Sequence, residues 1–206
     1  MTKRIFRSIL AATAQVYSYD MGELRYSINV TVDGCCDHRV GVISDDFHLH
    51  HANNLKRADG LIFGRVTYQM MEDAWRRPEG DTTPEADLDP FVAAIDPARK
   101  FVVSSTLDSV DWNSELIRGD LGTAVRELKE QSVTGLATGG VTLPLALAEL
   151  GLIDEFEFVV HPCIAGHGPY LFAGLSDIVD LELVDRSELE AGHAIQTYRP
   201  KKQASR

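Results

Sequence analysis

Cysteine is scarce in this chain of 206 residues: Cys35, Cys36 and Cys163 are the whole complement. Two of them are adjacent and poorly placed to bridge each other, so no disulfide framework is visible. A reducing, cytoplasmic setting is the expectation. Long hydrophobic runs are missing too; nothing approaches the roughly 20 apolar residues of a membrane-spanning helix. Positive charge is in deficit, with 20 lysines and arginines against 31 acidic residues and a formal net charge of −11. Such a field repels nucleic acid and anionic membranes at long range, which removes both from the expected partners. It also opposes an anionic cofactor, so a site for one needs local positive charge or aligned backbone N–H groups.

What is present is ordinary for a folded globule, with 44% apolar and 25% charged residues. A chain of this length suggests one domain and can bury roughly 70% of its unfolded surface without help from a metal or disulfide. Residues 1–16 place Lys3, Arg4 and Arg7 before a short apolar run. The stretch loosely mimics a signal peptide, but Arg7 and Ser8 interrupt a segment already too short for one. Residues 1–23 are therefore read as an N-terminal extension, as an extra helix, an oligomer contact or the product of a start codon placed too early, ahead of a single domain over 24–206.

Residues 24–32 (LRYSINVTV) alternate apolar and polar side chains as a strand does, and Asp33-Gly34 turns the chain. Residues 44–56 read as a helix. The nearly continuous apolar run 59–63 (DGLIF) reads as a strand covered on both faces, followed by helix over 66–73. Three prolines and five acidic residues make 76–90 a surface loop. A helical turn or two at 91–95, a strand at 100–104 and an amphipathic helix at 121–131 follow. Then come a brief strand at 135–138, a helix at 141–150 stopped by Gly151, and a buried strand at 156–160. Late strands near 181–185 and 194–198 close the chain. The alternation implies an α/β domain on a mostly parallel central sheet, with an antiparallel hairpin at its C-terminal edge.

Three strand ends stand out. At Gly64-Arg65-Val66-Thr67 a strand gives way to a helix whose first N–H groups lack internal partners. Arg65 adds a fork of donors shaped for phosphate and Thr67 a hydroxyl; the plain alternative is a glycine turn with an arginine lying over the surface. Gly139-Gly140-Val141-Thr142 repeats the arrangement with paired glycines, which serve either close approach of a ligand or tight strand–helix packing. Ser104-Ser105 ends the KFVV strand with hydroxyls suited to a ribose phosphate or to an ordinary turn. No G-x-G-x-x-G occurs at any strand-to-helix turn, which weakens a standard dinucleotide fold. All three junctions nonetheless lie beyond the carboxyl ends of strands, where open α/β sheets bind ligands.

In this order SINVTVDG, DGLIFGRVTYQMM, KFVVSSTL and GLATGGVTLPLALAELGLIDEFEFVVHPCIAGHGPYLF resemble the dihydrofolate reductase-like superfamily. The branch most similar is that of the RibD C-terminal domain, the reductase domain of riboflavin biosynthesis, and the likeness covers about residues 24–199. The resemblance implies a three-layer fold with helices on both sheet faces. It further implies NADPH-dependent hydride transfer to a small heterocyclic, carbonyl or imine substrate, as in 5-amino-6-(5-phosphoribosylamino)uracil reductase or dihydrofolate reductase. By analogy Gly64, Arg65 and Thr67 bind the phosphates, and Ser104 and Ser105 lie near the adenosine 2′-phosphate. Gly139, Gly140, Val141 and Thr142 cover the pyrophosphate and nicotinamide side, and residues 164–171 border the site. Asp33 is the best candidate for contacting a polar substrate, and the proton comes either from it or from water. A homodimer is the implied assembly.

The carboxylate that assists protonation in dihydrofolate reductases has no clear counterpart here, which keeps a second class open: a non-catalytic, dimeric nucleotide-binding module. His48, His50 and His51 raise a third, a metal-dependent hydrolase, which ranks last because no ligand triad with sensible spacing is evident. A polar helix face near the substrate opening accounts for these histidines more simply, with His50 or His51 in reach of substrate. Tyr68, Trp75 and Phe91 either wall a pocket or fill core, and His161 and His167 flank Cys163 in a structural loop.

Overall fold

The computed structural model describes residues 22–201. Its elements run in the order β1 (Leu24–Thr31), α1 (Asp45–Lys56), β2 (Gly60–Gly64), α2 (Arg65–Trp75), α3 (Pro90–Ile95), β3 (Lys100–Val103) and β4 (Ser114–Ile117). After these come α4 (Leu121–Gln131), β5 (Leu136–Thr138), α5 (Thr142–Glu149), β6 (Glu155–His161), β7 (Leu181–Glu188) and β8 (Ala194–Pro200). The strands form one sheet in the order β4-β3-β2-β5-β1-β6-β8-β7. β1 to β6 run parallel, and β8 pairs antiparallel with both β6 and β7. This is the expected dihydrofolate reductase-like architecture, including the antiparallel closing hairpin.

The apolar run of β2 is divided between two cores, one on each face of the sheet. Ile62 packs into a cluster with Tyr26, Phe101, Val125 and Leu147, which draws α4 and α5 onto that face. Leu61 and Phe63 point the other way, toward Tyr68, Ile95, Val102 and Trp112, beneath α2 and α3. A strand with no polar side is stable only in such a covered position. Phe47 of α1 seats on Val159 of β6 and Ile195 of β8 and anchors that helix over the same face as α2 and α3. No described helix is long and apolar enough to cross a membrane. The N-terminal extension read at residues 1–23 falls almost wholly outside the described residues.

The central strand β5 makes the crevice. It has only three residues and stops at Thr138, opposite Tyr26 of β1 and Ile62 of β2. Its neighbours continue, β1 to Thr31 and β2 to Gly64, so they flank a gap in the sheet above β5. Backbone groups beyond a shortened strand have no ladder partner, and the space accepts a ligand at the carboxyl ends of the strands.

Candidate functional site

Above β5 the gap opens into a cleft of about 720 Å³. Gly64, Arg65, Thr67, Gly140, Val141 and Thr142 all line it. The first two junctions picked out in the sequence thus share one cavity, formed where α2 and α5 begin. Neither helix start is closed by a side chain: the N-caps are Gly64 and Val141, with no side-chain cap bond and no acidic residue in the first turn. By contrast Asp89 and Asp120 accept backbone N–H groups at the starts of α3 and α4. The uncapped N–H groups of α2 and α5 therefore remain available to an anion, at the positive ends of two helix dipoles.

Close packing fixes this arrangement. Gly140 adopts a φ of +89°, and a Cβ there would lie 2.2 Å from Thr67 Oγ. Its carbonyl accepts a hydrogen bond from Tyr26 Oη at 2.9 Å, tying the turn to β1. Arg65 is exposed, and its guanidinium meets only the side chain of Gln69 at 3.2 Å. No acidic partner competes for it among the described residues. The cleft's other guanidinium, Arg39, is held on Asp37 at 2.9 and 2.5 Å, and that pairing keeps the buried Asp37 carboxyl well below its ordinary range. Local positive potential in a protein of net charge −11 thus centres on Arg65 and the two helix ends.

A second chamber, of about 310 Å³, opens from the first. Ser27, Ile28, Asn29, His38 and Met70 border both. Its walls are aromatic: Phe47, His48 and His51 from α1, Trp75 from the end of α2, and Phe91 from α3. Trp75 and Phe91 meet edge to face with centroids 5.0 Å apart, and His48 stands edge-on to Trp75 at 5.4 Å. His48 Nδ1 lies 2.6 Å from Asp89 Oδ2. Burial raises the Asp89 carboxyl, but the bonds from His48 and the Phe91 N–H outweigh it and leave the group more acidic than usual. His51 Nε2 meets Asn29 Oδ1 at 2.9 Å, and burial pushes its pKa down to about 4. His50 turns aside to Glu157, a carboxylate also bound by Ser27 and Asn54. The three histidines therefore have three separate partners and do not converge.

The remaining site expectations are placed elsewhere. Gly139 borders the chamber rather than the cleft. Ser104 and Ser105 line neither cavity. The Ser104 hydroxyl accepts the backbone N–H groups of Thr106 and Leu107, which makes it a turn residue, and the carbonyl of exposed Ser105 accepts from Arg118. Asp33 also lies outside both linings. Its carboxylate accepts from the Thr31 hydroxyl at 2.5 Å and from the N–H groups of Ala165 and Gly166 at 3.1 and 2.8 Å. Those bonds, the hydroxyl first, hold its pKa down at about 2. An acid ionised at every ordinary pH is a poor proton donor, so the placement argues against the expected catalytic role. From the loop at 164–171, Pro169 reaches the cleft. The sequence reading missed the chamber as a unit. Its one signal was the run of aromatic and imidazole residues on the starts and ends of three helices.

Comparison with known proteins agrees with this fold. The family model described as the RibD C-terminal domain matches residues 23–195. An uncharacterised protein of Bacillus subtilis (strain 168), YyaP, is 25% identical over 167 residues, 79% of this chain and 87% of its own. Among solved structures, a putative riboflavin biosynthesis protein from Shewanella sp. PV-4 superposes with a TM-score of 0.67 at 21% identity, covering 87% of this chain and 99% of that one. A dihydrofolate reductase from Enterococcus faecalis, in complex with NADP(H), reaches a TM-score of 0.60 at 15% identity, covering 88% and 98%. The chain belongs to the RibD C-terminal domain family.

Proposed function

We propose that this protein is an NADPH-dependent reductase that transfers hydride to a small heterocyclic, carbonyl or imine substrate. The reading is carried by one observation: a cleft built on two uncapped helix starts and Arg65 opens directly into an aromatic chamber. The cleft fits an anionic dinucleotide. Its lining includes the starts of two helices whose N–H groups no side chain caps, and the Gly140 turn leaves main chain where a Cβ would collide. The backbone N–H groups of α2 and α5, with Arg65 and Thr67, hold phosphates, while Gly140, Val141 and Thr142 frame the rest. When bound, NADPH supplies the hydride chemistry, and the chain's own task is orientation.

Ser27, Ile28 and Asn29 form the shared border across which the two ligands meet. Met70 and the aromatic walls keep water from that border, and proximity of this kind lowers a barrier by several kcal/mol, up to roughly 7–11 in ideal cases. His48, fixed at Nδ1 by Asp89, is the chamber group placed to hold a proton at its other ring nitrogen. Titration should show saturable NADPH binding in the micromolar range with NADH weaker; equal binding of the two, or none, defeats the reading.

The absence of a carboxylate among the described residues lining the chamber favours one alternative, a nucleotide-binding module without catalysis. NADPH bound but never consumed across a panel of pteridines, pyrimidinones and small carbonyls would select it. The homodimer belongs to the same proposal: β7 is paired on one side only and leaves an exposed sheet edge. Sedimentation at the mass of one chain would remove it. The three cysteines are free, consistent with action in a reducing compartment.

A further inference from the structure

Among the described residues, no lysine, arginine, aspartate or glutamate lines the aromatic chamber. Its polar groups are neutral amides, the hydroxyls of Ser27 and Thr138, an indole N–H and imidazoles, and two of these imidazoles are already fixed by Asp89 and Asn29. The guanidinium of Arg39, which lines the adjoining cleft and not the chamber, is engaged by Asp37 through two bonds. Arg65 lines the cleft alone. A phosphate or carboxylate in the chamber would lose its water and gain no unpaired counter-charge, because any charge carried by His48 is balanced by Asp89 at 2.6 Å, and an unpaired buried ion is strongly disfavoured. Flat apolar rings, by contrast, find edge and face partners in Phe47, Trp75 and Phe91.

We infer that the chamber takes a flat, uncharged aromatic ring system with a polar edge and rejects rings that carry phosphate or carboxylate. As a statement about substrate this rests on the reductase reading; as a statement about binding it does not. Specificity arises from both sides of the balance: aromatic contact area favours the neutral ring, and the missing counter-charge excludes the anion. His48, His51 and Asn54 read the polar edge.

Two tryptophans make the test selective. Trp75 lines the chamber, whereas the Trp112 indole N–H donates to Asp96 at 2.7 Å and lies outside it. With uniformly ¹⁵N-labelled full-length protein at pH 8, the two indole N–H signals are followed during titration with 2-naphthamide, 2-naphthoate and 2-naphthyl phosphate. These probes share one ring system and differ in charge. The amide is expected to move the Trp75 signal saturably and leave Trp112 in place, with both anions at least tenfold weaker. Equal or tighter binding of either anion, or no Trp75 response to the amide, overturns the inference. Repeating the amide titration with NADPH present separates the two readings. A chamber that binds the amide in a protein indifferent to NADPH would refute the reductase alone.

Discussion

At Gly140 the left-handed φ and the contact with Thr67 Oγ act together, so alanine there is strained twice over. Gly140→Ala is expected to lower stability by roughly 1–3 kcal/mol and to push the turn away from the start of α2. Both thermal unfolding and NADPH titration should register it. Arg65 is the opposite kind of residue, exposed and bound only to Gln69. Arg65→Ala should leave stability within about 0.5 kcal/mol while weakening NADPH roughly ten- to a hundredfold, the loss expected for a charge-assisted hydrogen bond. Arg65→Lys restores charge but not the planar fork and should recover only part of the affinity. For Asp33 the bonds to Thr31, Ala165 and Gly166 predict a structural effect. Asp33→Ala should lower the melting temperature with NADPH affinity retained; lost turnover at unchanged stability would instead restore it as a catalytic group.

Two elements meet through a buried histidine pair. His161 ends β6 and His193 precedes β8; the His193 Nε2 lies 3.1 Å from His161 Nδ1 and 2.9 Å from the Val42 carbonyl. Gly41 passes so close that a Cβ would sit 2.3 Å from the His161 ring. The pair therefore clasps the segment that carries His38, Arg39 and Ile43 to the two cavities. Burial first, then neighbouring His193, depresses the His161 pKa to about 4 from 6.5. As pH falls, the unfolded chain takes up this proton before the folded one does. The stabilising contribution is thus complete above about pH 6.5 and is lost progressively toward pH 4, by at most roughly 3 kcal/mol. His51 titrates in the same window with the same sign. Denaturant unfolding measured across pH 4–7 should show this slope, and His161→Gln should reduce it to the share that His51 contributes.

Legibility in the sequence followed side-chain pattern. β1, β2 and α4 were readable because alternation, a continuous apolar run and a clean amphipathic stripe each report burial directly. β4, with the sequence SELI, was missed: an edge strand of four residues and two apolar side chains carries no periodic signal. β7 extends to Glu188 beyond its recognised part because its later residues are exposed and polar. In the site, the glycine junctions were legible since a strand end, a glycine and a helix start adjoin in the chain. The chamber was not, because its walls come from three helices separated by loops, and an aromatic at helical spacing looks the same facing a core or a cavity. Ser104 shows the converse: a hydroxyl at the right strand end is used inward, to close its own turn.

At the scale of the whole molecule, two fields of opposite sign act on an anionic ligand. On the proposed reading, the net charge of −11 repels NADPH at long range, while Arg65 and two helix ends attract it at contact. The fields differ in range, so salt separates them. At about 0.01 M ionic strength the screening length is roughly 30 Å, comparable to the protein, and at 0.1 M it shrinks to about 10 Å. Raising salt across this interval should remove most of the long-range repulsion and speed NADPH association several-fold, the reverse of ordinary electrostatic steering. Dissociation reports the short-range field and should quicken modestly as Arg65 is screened. Stopped-flow binding measures both rates. In Arg65→Ala the salt acceleration of association should persist while the salt dependence of dissociation largely disappears. An association rate that instead falls with salt would mean that the ligand is guided by a positive surface much broader than this cleft.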